Sequence, residues 1–90
     1  MTTRQVFYEG RVQGVGFRYT VKSIAKGFDV SGWARNLDDG RVEVQVAGAT
    51  DEVRAFLGAI RDSELASHIS AAHEYEGTPL EDVRGFEIRA

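Results

Sequence analysis

The feature that most narrows the choice of fold is a hairpin written into the middle of the chain. Val30 to Leu37 reads as one strand, Asp38-Asp39-Gly40 as a short turn, and Arg41 to Ala47 as a second strand. The second strand alternates cleanly. Val42, Val44 and Val46 are expected to point inward and Arg41, Glu43 and Gln45 outward.

A different period flanks the hairpin on both sides. Upstream, a strand is predicted from Arg4 to Val12, with Val6, Tyr8, Gly10 and Val12 on one face. Gln13 to Gly16 breaks it, and a helix follows from about Phe17 to Lys26. Phe17, Val21, Ile24 and Ala25 carry its helical spacing, and Gly27 stands where a left-handed C-terminal cap is expected. Downstream, Thr50 is placed as an N-cap, with Asp51 and Glu52 complementing the dipole of a second helix. Val53, Phe56, Leu57 and Ile60 form its apolar stripe. Ser67 to Glu76 reads as a strand with a weak middle, Gly77-Thr78-Pro79 as a break, and Glu81 and Asp82 as a solvated loop. Gly85 to Ala90 reads as a short final strand with Phe86 and Ile88 on one face.

The order is β-α-β-β-α-β plus a short last strand. This predicts the α+β class: a ferredoxin-like βαββαβ sandwich, an antiparallel sheet with two helices on one face. Residues 1–90 leave room for a single domain. Such a fold decides no function by itself.

Several functions are disfavoured by what the chain contains. It has no cysteine, which excludes a disulfide framework, a thiolate zinc site and a cysteine nucleophile. No apolar run reads as an export signal or a membrane span, so the expected location is cytoplasmic, with no membrane partner. The formal net charge of −3 argues against a nucleic-acid partner. His68 and His73 would fall on opposite faces of a strand and lack an acidic partner at ligand spacing, so no metal site is expected.

The stretch Gln13-Gly14-Val15-Gly16-Phe17-Arg18 lies between a strand's end and a helix's start. Helix N-termini leave backbone N–H groups unpaired and carry partial positive charge. Two glycines let successive N–H groups converge into an anion nest, and the Arg18 guanidinium can grip two phosphate oxygens. The bland alternative is a tight connection with Arg18 solvated. The stretch lacks the Gly-Lys-Ser/Thr ending of a nucleotide loop and the glycine spacing of a dinucleotide fingerprint. Asn36 offers an amide that can hold a water, or it serves the adjacent turn. Trp33 and Tyr19 could stack on a ligand, though core or sheet-edge packing is the commoner use of such rings.

Two longer motifs contain these residues. Gly10-Arg11-Val12-Gln13-Gly14-Val15-Gly16-Phe17-Arg18 resembles the first signature of the acylphosphatase family. Gly32-Trp33-Ala34-Arg35-Asn36-Leu37-Asp38-Asp39-Gly40-Arg41-Val42, continuing to Gly48, resembles the second. The resemblance implies a metal-independent acid anhydride hydrolase with no cofactor, acting as a monomer on a small-molecule acyl phosphate. It implies that Arg18 grips the phosphate and that Asn36 positions the attacking water. Gln13, Gly14, Val15, Gly16 and Phe17 would then bind the substrate through the loop. The chain departs from the family's pattern after the second helix. Where a Gly-Pro pair is common, it reads Ile60-Arg61-Asp62-Ser63-Glu64, so the resemblance does not define the path of the following loop and strand.

The site so read has no general acid, nucleophile or metal. An acyl phosphate tolerates this, because its leaving carboxylate has a pKa of about 4 and departs without protonation. Phosphoryl transfer then needs mostly positioning and charge stabilisation. The rivals are a non-catalytic anion-binding module and an RNA-binding sheet. The latter would need exposed aromatics on central strands, for which Phe7 is a candidate, together with a basic face.

Overall fold

A computed structural model describes residues 1–79 and 83–90. The expected loop at Glu81 and Asp82 lies outside the described residues. Strand β1 spans Thr2–Gly10, helix α1 Phe17–Ala25, β2 Val30–Asn36, β3 Val42–Gly48 and helix α2 Thr50–Arg61. A 3-10 helix over Glu64–His68 leads into β4, Ile69–Glu76, and β5 covers Phe86–Arg89.

The sheet order is β4-β1-β3-β2-β5. β1 pairs antiparallel with β3 and β4, and β2 antiparallel with β3. β5 runs parallel to β2, which corrects the expectation of a purely antiparallel sheet. The reason is topological. The chain leaves β4 at one edge, reverses, and reaches the opposite edge running in the direction of β2.

Residues directly opposite in the ladders share a face. Val6 stands opposite Val44, Tyr8 opposite Val42, and Ala34 opposite Val44. All are buried, as are Phe17 and Val21 of α1 and Val53, Phe56 and Ile60 of α2, so both helices cover this one face. A fully buried valine of this kind stabilises the fold by about 1.5–3 kcal/mol. Tyr8 packs on Phe17 with ring centroids 5.2 Å apart, joining β1 to the first turn of α1. Burial pushes the Tyr8 hydroxyl well above its ordinary pKa of 10.0, with Glu74 adding to the rise and Arg61 opposing it. Phe86 packs against the core, and it and Ile88 sit opposite Gly32 and Ala34, sharing one face as expected, the helix side.

The other face differs from expectation. Glu43 and Gln45 alternate away from the core yet are only 3% and 8% exposed. Long neighbours cover them. Gln5 Nε2 and Arg35 Nε donate to the Glu43 carboxylate at 2.7 and 2.8 Å, and Gln45 Nε2 donates to it at 3.3 Å. Trp33 lies beneath the Arg35 and Arg89 guanidinium groups, 5.1 and 5.2 Å from its ring centre. Desolvation pushes the Glu43 pKa up, but the donated hydrogen bonds and the Arg35 charge outweigh it and hold the carboxyl below its ordinary 4.5.

Several local expectations are also corrected. Gly27 is not left-handed. Helix α1 ends by tightening, with Lys26, Gly27 and Phe28 N–H groups donating to the carbonyls of Ser23, Ile24 and Ala25. Ala49, not Thr50, is the N-cap of α2, and Thr50 Oγ1 bonds to Thr2 Oγ1 instead. Tyr19 is 70% exposed rather than packed. The region after α2, whose path the sequence left open, forms a further short element. Ser63 Oγ accepts from Leu65 N at 3.1 Å and starts the 3-10 helix, so His68 precedes β4 rather than sitting on it.

Candidate active site

Three pieces of backbone meet at one end of the sheet: the loop after β1, the start of α1, and the hairpin between β2 and β3. The loop is fixed at its entry. Arg11 N donates to His68 O at 2.9 Å, and the Val12 side chain is buried in the core. Gly14 and Gly16 then adopt φ of 77° and 75°, a left-handed conformation that costs a side-chain-bearing residue about 1–2 kcal/mol. Val15 between them is exposed. Two left-handed residues this close curl the loop where it enters α1.

Gly16 is the N-cap of α1 and, lacking a side chain, supplies no capping oxygen. The first turn contains no acidic residue. The N–H groups of Phe17 and Arg18 therefore stand at a helix start whose own first turn puts no carboxylate beside them. Phe17 is only 2% exposed, and its ring is packed in the core rather than presented to a ligand. Gln13 is placed differently from Gly14, Val15 and Gly16. Its amide is already spent on the hairpin, bonding Leu37 O at 2.8 Å and Arg41 O at 2.9 Å.

Arg18 reaches across the end of the sheet. Its Nη1 donates to Arg89 O at 3.1 Å. Arg89 pairs with Arg35 in the parallel β2–β5 ladder, and Asn36 is the next residue of β2. Asn36 stands opposite Val42, which puts it on the helix side of the sheet, at the end where α1 begins. Among the described residues, no protein group hydrogen-bonds its side-chain amide. The turn role weighed for Asn36 belongs to Asp39 instead, whose Oδ1 accepts from Arg41 N at 3.1 Å. That backbone hydrogen bond and the Arg41 charge hold the Asp39 carboxyl below its ordinary range.

Charge is distributed unevenly around this end. Arg35 is paired with Glu43, Arg41 with Asp39 and Arg89 with Glu87. Among the described residues, Arg18 contacts a carbonyl and no carboxylate, which leaves its charge open to an anion there. Neither histidine joins the site. His73 lies on the open face, where it is paired with Glu9, an acidic partner across the ladder that was not anticipated. Among the described residues, no three His, Cys, Asp or Glu side chains gather as metal ligands.

Among the described residues, the arrangement presents the start of α1, the Arg18 guanidinium with no carboxylate partner, and the Asn36 amide with no protein partner. This suits a small tetrahedral anion more than a large organic ligand. The Gln13 clamp and the covered Glu43 were not read from the sequence. The only hint was that long polar residues recur on neighbouring strands.

The chain matches the family model described as acylphosphatase over residues 4–88. It is 44% identical over 89 residues to an acylphosphatase of Haloarcula marismortui, covering 98% of this chain and 96% of that one. An acylphosphatase of Listeria welshimeri is 42% identical over 80 residues, covering 88% of this chain and 86% of the relative. The crystal structure of acylphosphatase from Bacillus subtilis superposes with a TM-score of 0.87 at 34% identity, covering both chains completely.

Proposed function

The chain belongs to the acylphosphatase family and hydrolyses acyl phosphates, and from that premise we propose that Arg18, Asn36 and the backbone of residues 13–18 carry the reaction. The observation behind this reading is the uncapped start of α1, with Arg18 drawn by its bond to Arg89 O toward the strand end that bears Asn36.

The phosphoryl group sits on the loop amides and the Arg18 guanidinium, which draw charge toward their donors as the transition state forms. The Asn36 amide holds a water in line with the bond to be broken. The water oxygen bonds to phosphorus, the bond to the acyl oxygen breaks, and the carboxylate leaves with that electron pair. The water's proton passes to a phosphate oxygen. No residue need act as an acid, because a leaving group of pKa about 4 departs unprotonated.

Steady-state hydrolysis of benzoyl phosphate, combined with inhibition by inorganic phosphate, tests the assignment. Arg18→Ala should lose both phosphate binding and turnover, whereas Asn36→Ala should lose turnover and keep binding. Full activity in either variant removes that residue from the scheme. Treatment with a chelator should leave the rate unchanged, and a loss restored by added metal would overturn the metal-free scheme.

The finer properties belong to the same reading: a single domain over residues 1–90, a monomer, cytoplasmic, with no nucleic-acid partner. No helix among the described residues is long and apolar enough to cross a membrane. Light scattering in solution tests the monomer. A gel shift with single-stranded RNA tests the last point, because the open face carries Phe7 beneath Arg41 and Phe7 against the exposed Tyr75.

A further inference from the structure

We propose that the Gln13 side chain is a positioning strut that sets the orientation of the anion loop relative to Asn36, and that it never touches the substrate; the inference rests on the reading of the site given above. Gln13 Nε2 lies 2.8 Å from Leu37 O and 2.9 Å from Arg41 O. A primary amide nitrogen carries two hydrogens, and here each has its own carbonyl. The opposite orientation would set the amide oxygen against two acceptors, so the surroundings fix which atom points at the hairpin.

Those carbonyls already belong to the turn. Leu37 N donates to Arg41 O at 2.8 Å, and Gly40 N donates to Leu37 O at 3.2 Å. Nε2 therefore closes the mouth of the turn that begins one residue after Asn36. At its other end, Gln13 is the first residue of the nest. Gly14, Val15 and Gly16 are exposed and make no side-chain tie to the hairpin. Among the described residues, the Gln13 amide is thus the side-chain bond that joins the loop to the strand end carrying Asn36.

The consequence concerns alignment more than affinity. The loop amides and Arg18 stay on their own helix when the strut is cut, so phosphate still binds. The water held by Asn36 is then no longer in line with the bond to be broken, and a small misplacement of this kind costs up to about a hundredfold in rate.

Gln13→Met keeps the length of the side chain and removes both donors. With benzoyl phosphate, its kcat should fall about ten- to hundredfold, while inhibition by inorganic phosphate shifts by less than about threefold. In an Asn36→Ala background the same substitution should lower kcat by less than about threefold, since no positioned water is left to misplace. Gln13→Lys, which restores N–H donors on a longer stem, should recover part of kcat. Circular dichroism checks the fold, and if Gln13→Met does not fold, Gln13→Leu, which also lacks donors, carries the same comparison. A weakening of phosphate binding that matches the loss of rate would make Gln13 a direct ligand and overturn the proposal. So would losses that multiply in the double variant, or wild-type kinetics in Gln13→Met. Should Arg18→Ala and Asn36→Ala both prove fully active, the reading of the site falls and the strut with it. If those two fail as expected and Gln13→Met does not, the strut alone is wrong.

Discussion

The two helices lie on the same face of one sheet, yet their first turns are built in opposite ways. Helix α2 begins with Asp51 and Glu52, and Glu52 Oε1 also accepts from Asp29 N at 2.7 Å. Its positive end is compensated by the protein itself. Helix α1 begins with a left-handed glycine, no acid, and Arg18 in its first turn. Placing a cation there works against the helix dipole, so the arrangement costs stability unless an anion completes it. One start is closed and structural, the other is left open for a ligand. Concavity does not mark the difference. A groove of about 540 Å³ at the other end of β1 is lined by Arg4, Arg54, Arg61 and Glu74, but Arg4 is paired with Glu74 at 2.7 Å.

The largest test of this contrast removes the charge from the open start. Arg18→Ala should lower kcat/KM for benzoyl phosphate by about a thousandfold, whereas Arg54→Ala in the large groove should leave it within about twofold. Equal losses would erase the distinction between the two ends. Asn36→Ala should cost about a hundredfold in kcat, with phosphate inhibition little changed; a matched loss of binding would make the amide a phosphate ligand.

Glu43 separates a defect of charge from a defect of the sheet between the two starts. Its carboxyl is held below the ordinary 4.5 in the fold, so its stabilisation is present above that value and is lost as pH falls through the lowered one. Glu43→Gln should cost about 2 kcal/mol at neutral pH and flatten the acid limb of a stability curve measured by denaturant unfolding. An unchanged acid limb would mean that Glu43 is not so coupled.

Gly16→Asp makes the open start resemble the closed one. No atom lies within 4 Å of a Cβ built there, and aspartate tolerates a left-handed backbone better than most residues. Phosphate binding should weaken about tenfold, and the melting temperature should fall by a few degrees, because a side chain is strained at φ 75°. Retained binding would mean that the helix start does not face the anion. The smallest effect is expected at the closed start. Glu52→Gln should cost less than about 1 kcal/mol and leave turnover intact; a loss of turnover there would end the contrast.

Much of the fold was legible because its signals are local. The hairpin is announced by Asp38-Asp39-Gly40 between alternating runs, and both apolar stripes fall within single helices. The site was legible only in part. Arg18 and the glycines stand together in the sequence, and Asn36 drew notice through its motif rather than its chemistry. Glu43 and Gln45 do point outward, as the alternation predicts, but alternation reports only which side of a strand a residue takes. It does not report that Gln5 and Arg35, on two neighbouring strands, will cover that side.

By itself the sequence determined the elements, their order, and a left-handed loop opening onto a helix. These follow from backbone preferences and apolar spacing that act over a few residues. Only the tertiary structure decided that β5 runs parallel beside β2, that Arg18 reaches Arg89 across 71 residues, and that Gln13 clamps the turn beyond Asn36. Those contacts depend on the core packing that brings separate segments to one sheet end, and no local preference encodes them.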